Sequence, residues 1–249
     1  MGARQAGLGY ASSILTDDWS IHNNPAGISS LKERSVSFAY DLTPSIAGGN
    51  RIAATFNAPT KWVNSGIGFF RFGDALYSES KISIAVGNKI GISSLSVRGN
   101  YNQYRAEGFG TSTAFSLDVG SITQLTQQIS IGLYITNITQ ASFTSSAAER
   151  LPTRLVAGFG YTPSEKILLT SEIEKDLDFP IMWRTGFEMG IYKSVFFRTG
   201  YTINPNAGFF GLGIKKKNLK IDYALRYQNL LGVSHQASAS YTIPEVKKK

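Results

Sequence analysis

Few side chains in this 249-residue sequence have the type and spacing for bond chemistry. Cysteine is absent, which removes a thiol nucleophile, a disulfide framework and a lipidated cysteine anchor. Histidine occurs twice, as His22 and His235. His235 follows Ser234, but in a strand neighbouring side chains point to opposite faces, so the two cannot form a nucleophile–base pair. Asp17 and Asp18 are adjacent carboxylates without the oxygen-rich ligand set that calcium prefers. With Thr16 they read instead as the N-cap of a short helical turn. Two histidines and no cysteine leave zinc unsupported. Gly7-Leu8-Gly9 lacks both the spacing of a phosphate-binding loop and a preceding strand. Asn137-Ile138-Thr139 matches a glycosylation sequon, but it falls inside an expected strand and is read as chance. The sequence therefore predicts no catalytic residue, no metal site and no cofactor, and the chain is not read as an enzyme.

The net charge of +8 raises nucleic acid as a partner. Its distribution argues otherwise. Lys215, Lys216 and Lys217 form one cluster, and Lys247, Lys248 and Lys249 form another. A basic turn and a basic tail are solvated ends, suited to lie near anionic lipid, and no nucleic-acid partner is expected.

The elements that hold the remaining polar residues follow from hydropathy with period two. Val36, Phe38 and Tyr40 alternate with Ser37, Ala39 and Asp41. Trp183, Phe187 and Met189 alternate with Arg184, Gly186 and Glu188. This spacing predicts strands with one apolar and one polar or small face. Strands are expected at 35–42, 50–58, 62–73, 80–88, 91–106, 110–122, 128–140, 152–163, 166–176, 180–192, 194–203, 208–217, 219–228 and 232–243. The turn residues Asn88-Lys89, Thr162-Pro163-Ser164, Asn204-Pro205-Asn206 and Lys217-Asn218 separate several of them. Residues 1–34 show no alternation.

The chain is 42% hydrophobic, with mean hydropathy −0.08. No stretch approaches the ~20 apolar residues of a spanning helix, whereas many of the expected strands have the ~9–11 residues of a tilted membrane strand. The apolar face runs along nearly the whole chain and in water would need a second layer to cover it. A bilayer supplies that cover. The reading is an all-β protein: a transmembrane antiparallel up-and-down β-barrel of about 14 strands. Its domains are an N-terminal plug at 1–34, the barrel at 35–243 and a basic tail at 244–249. An even strand count puts both chain ends on one side. No secretion signal precedes the first strand, so the sequence is read as a mature or trimmed form.

The polar face carries Asp41, Arg98, Asp118, Glu172, Glu174, Arg184, Glu188, Arg198, Asp222 and Arg226. Four are basic and six acidic. They are expected to face the lumen, as ion pairs that stiffen the barrel rather than as a conduit.

Two sets of residues resemble a known family. Gly2-Ala3-Arg4-Gln5-Ala6-Gly7-Leu8-Gly9, Asp17-Asp18-Trp19 and Asn24-Pro25-Ala26-Gly27 are similar to the N-terminal signature of FadL-like outer-membrane proteins, especially the PorV/PorQ group. Ser116-Leu117-Asp118-Val119-Gly120, Leu151-Pro152-Thr153-Arg154, Glu172-Ile173-Glu174-Lys175, Lys220-Ile221-Asp222-Tyr223-Ala224 and His235-Gln236-Ala237-Ser238 follow in the order of similar segments there. The resemblance implies fourteen strands, a lumenal plug, periplasmic termini and a Gram-negative, Bacteroidota-type source. The chain departs from that group in its short loops, the longest near 141–151.

In that reading Asn23, Asn24, Pro25, Ala26 and Gly27 form the plug turn. Pro fixes φ, Gly permits positive φ, and Trp19 and Ile21 pack on the inner wall. The expected function is that of a subunit of a type IX-like protein-secretion complex, bound to outer-membrane lipid and to other outer-membrane or secretion proteins. The alternatives are a FadL-like channel for small hydrophobic compounds and a structural barrel without transport.

Overall fold

The computed structural model describes residues 1–143 and 146–244; positions 245–249 of the expected basic tail lie outside the described residues. The strands in chain order are β1 (Arg34–Leu42), β2 (Arg51–Pro59), β3 (Asn64–Gly73), β4 (Tyr77–Ile90), β5 (Ser93–Ala106), β6 (Gly110–Gln124) and β7 (Ile129–Thr136). A two-stranded ribbon, β8 (Ser142–Phe143) and β9 (Ser146–Arg150), interrupts them. The remainder are β10 (Arg154–Ser164), β11 (Ile167–Asp176), β12 (Met182–Tyr192), β13 (Val195–Ile203), β14 (Ala207–Lys216), β15 (Leu219–Gln228) and β16 (Gly232–Ile243).

Fourteen strands without the ribbon form one closed antiparallel barrel, each paired with its sequence neighbours. β1 closes it against β16, from Arg34 opposite Ile243 to Leu42 opposite His235. Both ends of the barrel chain therefore lie at one rim. Closure leaves no free sheet edge, which is how an all-β wall satisfies its backbone groups without water.

The alternation sorts residues as the sequence implies. In β1, Val36, Phe38 and Tyr40 are exposed while Ser37, Ala39 and Asp41 are buried. The outward face carries Ile67, Ile84, Phe115, Leu117, Leu155, Trp183, Leu212 and Ile221, all at least 45% exposed. The buried side of the wall is built from small and polar residues, so the packed centre is the lumen.

Two boundaries differ from expectation by more than two residues. The strand expected at 128–140 stops at Thr136, because Asn137 turns into the left-handed region at φ 51°. Asp118 accepts the Asn137 amide at 2.7 Å and Asn137 Nδ2 donates to Leu151 O at 2.8 Å. The sequon is thus a loop anchor, not part of a strand. β4 starts three residues before the expected position, its Tyr77–Ala106 to Ile90–Ser93 pairing running past the charged Glu79.

Candidate functional site: the filled lumen

Residues 1–31 are mostly buried and pack against inward-facing residues of the wall. A short helix, α1 (Ala3–Gly7), packs on β13 to β16. Two 3-10 turns, Ser20–His22 and Pro25–Ser30, pack on β3 to β6 from the opposite direction in sequence. Trp19 sits against Ala39 and Ala53, and Ile21 with Ile28 against Ala85. Each of these alanines is an inward residue of the wall, small enough to admit a large side chain from the segment.

Inward glycines bring the segment's backbone closer still. A Cβ at Gly132 would overlap Ser13 O, and one at Gly200 would overlap Gly9 N. One at Gly186 would come within 2.6 Å of Leu8 O. These positions are glycine because a second backbone runs along the wall there.

Charged side chains of the wall hold the segment at several places, through ion pairs and through hydrogen bonds to its backbone. Near its start, Arg4 donates twice to Glu188, at 2.8 and 2.7 Å, and once to Asp17 at 3.0 Å. Glu188 also takes Arg198, which reaches Asp222 at 2.7 Å. In the middle, Glu172 Oε2 accepts the Ser12 and Ser13 amides at 2.9 and 2.8 Å, while its other oxygen takes Arg184. Arg184 continues to Glu174 at 2.6 Å, and Arg154 reaches Asp176 at 3.1 Å. Further on, Arg98 pairs with Asp118 at 2.6 Å and donates to Ile21 O and Asn23 O. The wall thus supplies carboxylates to the segment's amides and cation, and a guanidinium to its carbonyls. Such charge-assisted bonds are short and strong where water is excluded.

The residues singled out from sequence fall as follows. Asp41, Arg98, Asp118, Glu172, Arg184, Glu188, Arg198 and Asp222 all point inward and enter ion pairs, Asp41 with Arg51 at 3.3 Å. Arg226 does not join them: it donates to Ser234 Oγ at 3.2 Å, and its Nε has no partner among the described residues. Asn23 donates to Met1 O and Trp19 O. Asn24 caps the second 3-10 turn, accepting from Ala26 N at 3.1 Å and donating to Ser13 O and Ser121 O. Pro25 is at the first position of that turn, where its missing N–H costs nothing.

Three expectations need correction. Gly27 does not adopt positive φ; it is glycine because a Cβ would strike Ser20 Oγ and Leu15 O. Asp17 does not cap the Ser20–His22 turn, whose N-cap is Trp19. It accepts Trp19 N with one oxygen, and Arg4 and Gln5 with the other. Asp18 is not a cap either, since it pairs with Lys220 at 2.8 Å.

Sequence reading missed Arg4, Arg51, Arg154, Asp176 and Lys220 as lumen charges. Arg51, Arg154, Asp176 and Lys220 stand at the ends of strands, where the alternation is weakest, and Arg4 comes from the segment itself, where no period marks it. His22 Nε2 donates to Ala54 O, 3.2 Å away, and burial holds its imidazole pKa well below the ordinary value. A neutral ring with the proton on Nε2 suits that carbonyl.

Two cavities flank the segment. One of about 290 Å³ opens toward the rim far from the termini, lined by Lys81, Arg98, Asn100, Asn102, Asp118 and Arg154 among others. Another of about 240 Å³ lies on the termini side, among Arg4, Asp18, Trp19, Lys220 and Asp222. His235 is on the outer face, bonded to Tyr223 OH at 2.7 Å, while Ser234 is buried.

No protein-family model and no curated sequence matches the chain. Solved structures do. The Pseudomonas putida toluene transporter TodX aligns over 97% of both chains, with TM-score 0.72 and 11% identity. A TodX deletion mutant, described as a monoaromatic hydrocarbon channel, aligns over 97% of this chain and 98% of its own, with TM-score 0.71 and 12% identity. A Pseudomonas aeruginosa FadL homologue aligns over 97% and 98%, with TM-score 0.60 and 11% identity. At this identity the likeness is one of fold: a closed fourteen-stranded barrel matched along almost its whole length.

Proposed function

We propose that the chain is an outer-membrane barrel of FadL type that passes small hydrophobic compounds, with residues 1–31 as the plug that controls passage. The observation that carries this reading is the alignment over 97% of the chain with a toluene transporter. The outward apolar belt supports a lipid-embedded wall; in this reading the termini lie toward the periplasm. No step of bond chemistry is part of this reading. Passage requires the segment to yield, and its latches are named: Arg4 on Glu188 and Asp17, the Ser12 and Ser13 amides on Glu172, and Arg98 on Ile21 O and Asn23 O.

The test is flux of a toluene-class aromatic into vesicles holding the purified protein. Arg4→Ala should raise the rate, because it frees the start of the segment while leaving the wall closed. Equal, background-level flux in wild type and variant would count against transport.

A second reading, a protein-binding subunit of a type IX-like secretion complex, is favoured by the polar lining of the far-rim cavity and the cross-bracing of the segment. In that reading the barrel conducts nothing and co-purifies with a larger outer-membrane assembly.

A further inference from the structure

The two rims differ in charge more than the lumen does. At the termini side, six turns join the barrel strands: 60–63, 91–92, 125–128, 165–166, 193–194 and 217–218. Lys61, Lys166, Lys193 and Lys217 lie in four of them, and Lys89 flanks a fifth. Lys215 and Lys216 add to the Lys217 turn. Glu165 is the one carboxylate in these turns. At the far rim, turns 43–50, 74–76, 107–109, 177–181, 204–206 and 229–231 contain Asp74, Glu107 and Asp178 and no Lys or Arg; the longer 137–153 connection carries Arg150, and Arg51, Arg105 and Lys175 at the strand ends there are offset by Glu79, Asp176 and the turn carboxylates. Those seven lysines are exposed, and among the described residues none of their ammonium groups enters an ion pair or side-chain hydrogen bond.

Apolar and aromatic residues accompany the lysines. Trp62 follows Lys61 and is 86% exposed; Tyr192 precedes Lys193 and is 76% exposed. Ile90 and Ile92 lie beside Lys89 and are also exposed. An aromatic ring next to an ammonium on a flexible stem matches a lipid interface, with the ring at the acyl boundary and the charge at the phosphate. A soluble acidic partner would not need the apolar component to ring the barrel.

We propose that this lysine rim binds the phosphodiester groups of anionic phospholipids and selects those lipids for the leaflet on the termini side. The proposal rests on the membrane reading above. The attraction is electrostatic and falls off within a Debye length, so it must weaken with salt.

The experiment uses Trp62 as its reporter. The protein, carrying Trp183→Phe so that Trp62 is the tryptophan on the outer surface, is reconstituted in vesicles of phosphatidylcholine with brominated phosphatidylglycerol or brominated phosphatidylcholine. Quenching gives the relative affinity of the two headgroups at the rim. The expected result is a preference of about fivefold or more for phosphatidylglycerol at low salt, the factor that one lysine near an anionic surface supplies. It should approach one in K61Q/K89Q/K166Q/K193Q/K215Q/K216Q/K217Q, and in wild type at high salt if that variant does not fold. Equal quenching by both lipids in wild type, or a preference that survives both salt and substitution, overturns the proposal. Loss of the preference on adding soluble glycerophosphate also overturns it, by assigning the rim to free phosphate. Failure to insert into either vesicle sinks the membrane reading instead, and is seen separately as absence of a heat-modifiable folded band.

Discussion

The two faces of one wall obey different rules. On β12, Trp183, Phe187 and Met189 project outward, while Arg184, Gly186 and Glu188 project inward one residue away. Outward side chains make few specific contacts, and what they need is apolar surface. Inward side chains meet a second polypeptide segment at fixed distances, so each has one acceptable size and one acceptable charge. Tolerance to substitution should therefore alternate along each strand, residue by residue.

The largest break in that pattern is expected at the close approaches. Gly200→Val places a branched side chain on the Gly9 backbone, and neither chain can retreat. The cost is at least about 3 kcal/mol, the upper end for overpacking, and no folded species should be recovered by heat-modifiability on a gel. Tyr201→Val, its outward neighbour, should fold. Next comes Glu172→Ala, which strands Arg184 and the Ser12 and Ser13 amides together. Removing one partner of such a buried set costs about 3–5 kcal/mol, read as a lowered urea midpoint in vesicles.

On the outer face charge matters more than shape. Phe38→Leu should leave the midpoint within error, whereas Phe38→Arg at the middle of β1 should cost about 2–4 kcal/mol. The cost of Phe38→Arg should shrink, with Phe38→Leu still silent, when the protein is held in detergent of lower apolar thickness, which sharpens the assignment to lipid. The smallest effect concerns His22. Its folded pKa is depressed by burial, so its contribution is full above the ordinary value of 6.5 and is lost as pH falls below it. His22→Gln should remove that component of acid loosening and shallow the decline in stability below pH 6.5.

The wall was legible in the sequence because two-residue periodicity is local. Val36 to Asp41 and Met182 to Tyr192 state their two faces without reference to any other segment. The strand after Gln128 was overrun because Asn137-Ile138-Thr139 keeps the alternation going, and only the Asp118 carboxylate, distant in sequence, shows that Asn137 turns away. The ribbon at 142–143 and 146–150 is short and small-residue rich, with no period to detect. The lumen was legible in its charges but not in its pairings. Glu188 announces that it faces inward; that Arg4 answers it across 184 residues does not follow from spacing. The inward glycines carried a further signal. Gly132, Gly186 and Gly200 lie on the small face of strands, where a wet pore would have no need of them.

The central claim is that residues 1–31 occupy the lumen while the opposite face of the same strands meets lipid. Absence of cysteine makes single-thiol labelling direct. Ser13→Cys and Leu117→Cys, each folded in vesicles, are exposed to a water-soluble and to a membrane-soluble maleimide. The expected result is no labelling at position 13 by either reagent until denaturation, and labelling at position 117 by the membrane-soluble reagent alone. Prompt reaction of position 13 with the water-soluble maleimide in the folded barrel would contradict it.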